Sequence, residues 1–170
     1  MRPLKFGVRI NNKERATEGF TLYSPLWDKK TSLISMDGDL MHEWDLPSTP
    51  GGYARLLPNG NLFYATTTEG GPPFKGGAKG GLMREVDWDN NIVMEYRDDW
   101  QHHDLRRLDN GNILYAGWEV MPEEAAKRVK GGIPGTENPE GIVGDFIKEV
   151  TPAGEVVWEW HAYSDMDIEN

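Results

Sequence analysis

Short segments of alternating apolar and polar residues follow one another along most of the chain, with turn residues between them. The segments are rich in aromatic and β-branched side chains, which favour strands over helices. The predicted strands are residues 19–25, 31–36, 40–46, 53–57, 61–67, 82–87, 92–97, a short strand between His102 and the Asn110-Gly111 turn, 112–118, 146–150 and 155–161. Strands this short, at regular spacing, predict an all-β chain.

The strand pattern repeats after about fifty residues. Residues 51–61 and 102–112 share an arginine, a leucine and an Asn-Gly-Asn turn at matching places, and Trp44, Tyr96 and Trp160 follow matching turns. Repeats of this length with four short strands are typical of β-propeller blades, which stack because one blade cannot bury both of its faces. We expect an arm at residues 1–18 and a partial β-propeller of four-stranded antiparallel blades at residues 19–170. Its repeats lie at about residues 31–68, 82–118 and 145–170, which amounts to about two and a half to three blades.

Two segments leave the repeat frame and are expected on the propeller faces. Residues 70–81 are rich in glycine and contain two lysines; a phosphate or sulfate cradle is one interpretation and a long connection between sheets is the simpler one, because the spacing is not that of a P-loop. The insertion at about residues 119–144 contains one short predicted helix, from about Pro122 to Lys130, and a loop over 131–144.

The charge and composition exclude several classes of partner. The formal net charge of −10 argues against nucleic acid and anionic membranes, because binding to phosphates needs clustered lysine and arginine. The chain has no cysteine, so neither a disulfide framework nor a thiolate metal site is expected. Residues 1–17 lack the apolar core of a signal peptide, and no stretch has the length of a membrane span, so we expect a cytoplasmic protein.

The candidate chemistry lies at His102, His103 and Asp104, which stand at the start of a predicted strand. Their counterparts in the preceding repeat are Gly51, Gly52 and Tyr53, so the repeat itself does not require these polar residues. Strand alternation places His103 on the face opposite His102, so we expect one histidine in the channel and the other in a packing or hydrogen-bonding role. Histidine transfers protons near neutral pH, and an aspartate can hold its tautomer. A structural role and a metal site are the alternatives, although two adjacent histidines are a weak metal signal.

The other polar candidates are arginines and two further histidines. Arg106 recurs in the first copy as Arg55, which favours a structural ion pair, whereas Arg107 replaces a leucine and is the better candidate for an anionic ligand. We list both Arg106 and Arg107 as candidate substrate-binding residues. His161 is expected at the rim and His42 on the solvent face of its strand.

Tryptophans and aspartates at repeat positions have simpler interpretations. We expect the tryptophans in the core between blades; they are Trp44, Trp88, Trp158 and Trp160. We expect the turn aspartates to cap the backbone; they are Asp37, Asp87, Asp89 and Asp109.

In several of these motifs the chain resembles the bacterial arylsulfotransferase (aryl-sulfate sulfotransferase) family. The similarity begins at about Gly19, and its motifs are Gly-Phe-Thr-Leu-Tyr-Ser-Pro, Met-Asp-Gly-x-Leu-Met-His-Glu-Trp, Leu-Leu-Pro-Asn-Gly-Asn-Leu, Glu-Val-Asp-Trp-Asp, His-His-Asp-x-x-Arg-Leu-x-Asn-Gly-Asn and Glu-Val-Thr-Pro-Ala-Gly-Glu-Val-Val-Trp-Glu-Trp-His. The resemblance implies a six-bladed propeller with its active site in the central channel. It also implies sulfuryl transfer from a phenolic sulfate ester to a phenol through a sulfated histidine, without a nucleotide donor or other cofactor. It aligns His102 and His103 with the family's first channel histidine region.

The expected function is therefore that of an arylsulfotransferase-like propeller segment acting on a small aromatic substrate. A ligand-binding or interaction segment without catalysis, and a lyase or hydrolase that uses the same channel, are the alternatives. A partial propeller leaves apolar faces and strand edges open, so we expect a second polypeptide or a second copy to complete the ring. The interface should be apolar and lined by tryptophans.

Overall fold

The computed structural model describes residues 7–72, 79–131, 133, 135 and 139–169. Within this part the strands form three antiparallel sheets, accompanied by two short helices. The prediction of a nearly all-β chain is confirmed. Residues 73–78 of the predicted glycine-rich connection, and the first six residues of the predicted arm, lie outside the described residues.

Each sheet is an up-and-down meander in which a strand pairs with the next strand in sequence. The first sheet contains β1 (Thr21–Tyr23), β2 (Lys30–Ile34) and β3 (Leu40–Asp45). The second contains β4 (Pro50–Leu56), β5 (Leu62–Thr67), β6 (Gly81–Val86) and β7 (Ile92–Arg97). The third contains β8 (Gln101–Arg107), β9 (Ile113–Val120), β10 (Val143–Val150) and β11 (Val156–His161).

The sequence repeats and the sheets are offset by two strands. The interval 31–68 joins the last two strands of the first sheet to the first two strands of the second, and the interval 82–118 does the same for the next pair of sheets. The sheets instead divide at residues 46–49 and 98–100. The second and third sheets are therefore compared strand by strand, with β4 equivalent to β8, β5 to β9, β6 to β10 and β7 to β11.

The Asn-Gly-Asn turns form matching hairpins in the second and third sheets. The backbone N–H of Leu57 donates to the carbonyl of Asn61 at 2.8 Å, and that of Leu108 donates to Asn112 at 2.9 Å. The central glycine has a φ of 87° in the first turn and 84° in the second. Glycine populates this left-handed region without steric cost, so the predicted turn chemistry is confirmed.

Helices occupy little of the described chain. The predicted helix is present but short: α1 covers Glu123–Ala126, after Pro122, and α2 (Ala162–Asp165) was not predicted. β10 begins at Val143, so the predicted loop over residues 131–144 ends slightly earlier than expected. In the part of the chain that the structure describes, neither helix has the length and apolar character needed to cross a membrane.

Two apolar clusters hold the sheets face to face. The cluster shared by the first and second sheets contains Leu33, Trp44, Leu46, Leu62, Tyr64 and Val86. The cluster shared by the second and third sheets contains Leu57, Phe63, Ala65, Met83, Leu105, Ile113, Tyr115, Phe146 and Val150. The burial of these side chains is the main force that stacks the sheets.

The tryptophans at repeat positions differ in their environment. Trp44 is fully buried between the first two sheets, and its indole N–H donates to the carbonyl of Asp87 at 3.0 Å, as expected for a core tryptophan. Trp88 and Trp158 remain 45% and 48% exposed, and Trp160 is half-buried. The core prediction is thus wrong for Trp88 in this chain, whereas Trp158 and Trp160 lie on β11 of the third sheet, at the end of the stack.

Candidate functional site

The histidine pair lies on a bulge of the first strand of the third sheet. Gln101 is opposite Gly117 and Leu105 is opposite Tyr115, so three residues of β8 face a single residue of β9. In the second sheet Pro50 is opposite Thr66 and Ala54 is opposite Tyr64, which gives the same count for β4 and β5. The repeat therefore supplies the bulge in both sheets, and only the residues placed on it differ.

The middle residue of each bulge has a left-handed backbone. Gly52 has a φ of 95°, and its equivalent His103 has a φ of 51°. The left-handed region is open to glycine but sterically costly for other residues, by about 1–2 kcal/mol. Residues other than glycine that are held in such strained conformations cluster at functional sites.

The bulge brings the two histidine rings together. His102 Nδ1 and His103 Nδ1 are 2.9 Å apart, so the expectation that these side chains take opposite faces is wrong. The alternation rule fails because the extra residues of the bulge interrupt the pleat. His102 is only 8% exposed and lies against Trp118, with the ring centroids 4.1 Å apart, whereas His103 is exposed to solvent.

An aspartate on a different strand determines the tautomers of the two histidines. His102 Nε2 lies 3.1 Å from Asp145 Oδ1. A carboxylate accepts hydrogen bonds, so Nε2 of His102 carries the proton and its Nδ1 accepts. His103 must then donate from its own Nδ1, which leaves the lone pair of His103 Nε2 free. The network thus assigns an ordered chain from Asp145 through His102 to a basic nitrogen on His103.

The environment keeps His102 neutral. Burial is the largest influence and lowers the pKa of His102, while the Asp145 carboxylate acts against it and the neighbouring His103 adds a smaller lowering effect. The result is a pKa below the ordinary histidine value, so the imidazole is uncharged at neutral pH. A neutral His102 is required for Nδ1 to accept from His103.

Asp104 takes a different place from the one that a tautomer-holding aspartate needs. Its Oδ1 accepts from the backbone N–H of Leu105 at 2.8 Å and from Arg106 Nη1 at 3.0 Å. The same guanidinium donates to the Tyr53 hydroxyl at 2.6 Å, so Arg106 joins the third sheet to the second while keeping its side chain 44% exposed. Asp145, which had no signal beside the histidines in the sequence, performs the role considered for Asp104.

Arg107 lies between the second and third sheets rather than beside the histidines. Its Nε donates to Glu85 Oε2 at 3.0 Å, and the Glu85 side chain is only 6% exposed. Burial acts to raise the pKa of Glu85, but hydrogen bonds from Asn61, Arg107 and Asn59 outweigh burial and hold the pKa below its ordinary value. The structure therefore gives Arg107 a partner in the core, and the expected anionic ligand is replaced by a glutamate of the chain.

The remaining predicted residues lie outside the histidine pair. Lys79 of the glycine-rich connection forms an isolated backbone bridge with His102, and its ammonium group donates to the carbonyl of Gly70. His161 is held by Glu119, with Nδ1 and Oε1 2.7 Å apart. Burial lowers the pKa of His161, but this hydrogen bond and the charge of Glu119 raise it above the ordinary value.

His42 does not face the solvent, so that prediction is wrong. Its ring stacks on Trp88 at 3.8 Å and meets the edge of Trp44 at 4.3 Å. Among the described residues no group of three or more histidine, aspartate or glutamate side chains is arranged to hold a metal ion.

Comparisons with known proteins support the fold and leave the site open. No family model and no curated protein matches this chain. The chain is similar to a solved structure described as a protein of unknown function from Bacteroides caccae, with 18% sequence identity and a TM-score of 0.50. The match covers 94% of this chain and 50% of that protein, so the chain spans about half the length of this structural relative. At this identity the likeness concerns the fold alone.

Proposed function

We propose that the three sheets are successive blades of a β-propeller, with six blades in the complete ring as the arylsulfotransferase resemblance implies. Three features support this arrangement. The second and third sheets are four-stranded meanders, they carry the same bulge and the same hairpin, and they stack face to face through an apolar cluster. The larger size of the structural relative is consistent with further blades. These further blades complete the ring.

We propose that His103 acts as a general base in sulfuryl transfer from an aryl sulfate to a phenol. The observation that carries this assignment is the hydrogen-bonded chain from Asp145 through His102 to His103. Such a chain orients the second imidazole and leaves its outer nitrogen as a proton acceptor. The bulge places that imidazole in solvent, where a substrate can reach it.

The reaction places specific demands on the residues of this chain. As the phenol oxygen forms its bond to sulfur, its proton moves to His103 Nε2, and the sulfur–oxygen bond to the donor aryl group breaks with its electron pair on the departing phenolate. His102 and Asp145 orient the base. The sulfate oxygens need a cation, and Arg106 is our candidate because its guanidinium remains partly exposed on the same strand. Arg107 is not assigned this role because its side chain is only 17% exposed and its partner Glu85 is buried between the sheets.

The test is turnover of para-nitrophenyl sulfate with phenol as acceptor, followed as release of para-nitrophenolate and as phenyl sulfate by mass spectrometry. The decisive comparison is made on the assembled ring, because the proposal places the site in a complete propeller: the unmodified chain against His103→Gly, with His161→Gln as the control because His161 lies with Glu119 outside the pair. We expect transfer by the full chain and by the control, and loss of transfer in His103→Gly. Absence of phenyl sulfate in the unmodified protein, or equal rates in all three, contradicts the proposal.

A further inference from the structure

Glu85 and Glu149 occupy the same place in consecutive sheets. Each lies on the third strand of its sheet, opposite Phe63 in the second sheet and opposite Leu114 in the third. In the second sheet Asn59 and Asn61 both donate to Glu85 Oε1, at 3.2 and 2.7 Å. In the third, Asn110 and Asn112 both donate to Glu149 Oε1, at 3.2 and 2.6 Å. The hairpin turn of each sheet thus holds a glutamate in the same orientation.

The second carboxylate oxygen of Glu85 accepts a hydrogen bond from the neighbouring sheet. Oε2 accepts from Arg107 at 3.0 Å, and Arg107 belongs to the first strand of the sheet stacked on that face. The interface between the first and second sheets has leucines at the corresponding positions: Leu33, which belongs to the apolar cluster of that interface, and Leu56, which packs against the cluster. At equivalent positions, a glutamate faces an arginine between the second and third sheets, and both residues are leucine between the first and second sheets. This pairing is expected because a buried carboxylate without a partner is costly.

The face of the third sheet that carries Glu149 is apolar and uncovered in the described chain. Its side chains alternate on one face of the sheet; they are Leu114, Ala116, Ile147, Glu149, Trp158 and Trp160. Their counterparts Phe63, Ala65, Met83 and Glu85 are buried beneath the third sheet, whereas Ala116, Ile147 and Glu149 are only half-buried and Trp158 is 48% exposed. Among the described residues no donor lies at Glu149 Oε2.

We propose that this face docks a further four-stranded antiparallel sheet of the same repeat, whose first strand carries an arginine at the place of Arg107 and donates it to Glu149 Oε2. This inference rests on the proposed propeller arrangement and extends it to the chemistry of the partner. It is a continuation of an interface that the chain already contains. Asp145 shares the face with Ile147 and Glu149, so the docked sheet also borders the histidine site.

Charge distinguishes this occupant from a second copy of the chain. The first sheet, which a second copy would offer in head-to-tail stacking, has three strands, and in the described chain none of them is equivalent to β8, so it presents no arginine at the place of Arg107. The chain also has a net charge of −10, so two copies repel each other. A sheet with an arginine opposite Glu149 satisfies both the buried carboxylate and the charge balance.

The test appends a second copy of residues 98–170 to the full chain, because this segment already carries the arginine that docks on the equivalent face. The chain has no cysteine, so Ala116→Cys on the open face gives a single reporter thiol, and Ala153→Cys in an exposed turn is the control. Trp158→Cys serves as a second reporter on the same face if Ala116→Cys does not fold. We expect the appended sheet to slow thiol labelling at residue 116 at least tenfold and to leave labelling at residue 153 unchanged.

A double substitution then tests the arginine itself. Glu149→Leu, or the appended copy's arginine changed to leucine, should each restore fast labelling, and the two changes together should slow it again, as in the leucine pair of the first interface. Slow labelling that is insensitive to Glu149 overturns the inference and leaves the propeller arrangement standing. Labelling that the appended sheet does not slow at either reporter contradicts the stacking itself. Concentration-dependent protection in the unmodified chain identifies a second copy as the occupant and also overturns the inference.

Discussion

The second and third sheets build the same bulge from different residues. In β4 the three residues opposite Ala65 are Gly51, Gly52 and Tyr53. This bulge borders a cleft of about 200 Å³ that is lined by residues of β1, of the segment after β1 and of β4. In β8 they are His102, His103 and Asp104, and the histidines bond to each other and to Asp145. The bulge of β4 shows that glycines are sufficient for this backbone conformation. The histidines of the β8 bulge are therefore not required by the fold. The comparison separates the requirements of the fold from those of the proposed chemistry.

The largest expected effect comes from replacing the histidine of one bulge with the glycine of the other. His103→Gly should reduce sulfuryl transfer by roughly 10²–10⁴-fold, because the proton acceptor is removed. The unfolding free energy should change by no more than about 1 kcal/mol, since glycine accepts the φ of 51° without strain. Transfer rates and urea unfolding midpoints, measured on the same preparation, check the predicted loss of activity and the predicted stability. Unfolding of the variant would mean that the imidazole is structural.

The second effect concerns the ion pair that distinguishes the interfaces on the two sides of the second sheet. Arg107→Leu should destabilise the chain by about 3–5 kcal/mol, because Glu85 is left buried without its cation. Adding Glu85→Leu should recover much of this loss, since the interface then resembles the one that contains Leu33 and Leu56. Denaturant unfolding of the two single variants and the double variant gives the coupling energy. Additive losses would show that the pair does not act as a unit.

The strands could be predicted from the sequence, whereas the bulge was not predicted, for physical reasons. Strand positions follow from alternation and turn residues, which are local, and the Asn-Gly-Asn turns confirmed the repeat. The repeat alignment also placed histidines opposite glycines. It did not show that the backbone is left-handed at Gly52, although a glycine inside a predicted strand often indicates a bulge. Asp145 could not be predicted as a partner of His102, because the pair depends on strand pairing across 43 residues of sequence.

The position of β11 at the end of the stack explains the exposure of its two tryptophans. Trp158 and Trp160 have the spacing of core residues, yet they are exposed or half-buried because the described chain places no sheet against them. Arg107 looked like a ligand-binding residue because it replaces a leucine. Arg107 is paired with Glu85 on the facing sheet, and the residue equivalent to Glu85 in the interface between the first and second sheets is Leu33. A single sequence does not show which positions face each other.

A smaller effect is expected from the residue that orients the histidine pair. Asp145→Asn should lower the pKa of His102 further, because the carboxylate is the main influence that opposes burial. An amide can also donate to Nε2 and reverse the tautomer chain, so transfer should fall by roughly 10–100-fold. Nitrogen chemical shifts of the imidazole rings, followed through a pH titration, report both changes. Unchanged shifts would exclude Asp145 as the positioning residue.

The same histidine predicts how stability depends on pH. The folded-state pKa of His102 lies below that of the unfolded chain, about 6.5, so its contribution is complete above this pH and is lost as pH falls through the folded value. In Asp145→Asn the loss should begin at the same pH, because the unfolded chain sets its onset, but it should continue to lower pH and become larger in total, because the folded pKa is lower still. Thermal unfolding midpoints between about pH 7 and pH 5 measure it, with His161→Gln as a background that leaves His102 intact. A loss of stability that is no larger in Asp145→Asn than in the unmodified chain would contradict the assigned contact.

The smallest effect is the reverse exchange, Gly52→His. The second bulge then receives the histidine of the third while keeping a φ near 95°, which should cost about 1 kcal/mol of unfolding free energy. No aspartate equivalent to Asp145 is present, because the counterpart of that residue in β6 is Gly81. The added imidazole therefore has no proton chain, and the transfer rate should stay that of the unmodified protein. Urea midpoints and the same aryl sulfate assay decide it: a gain in transfer would mean that a strained histidine on a bulge is sufficient without its ordered partners.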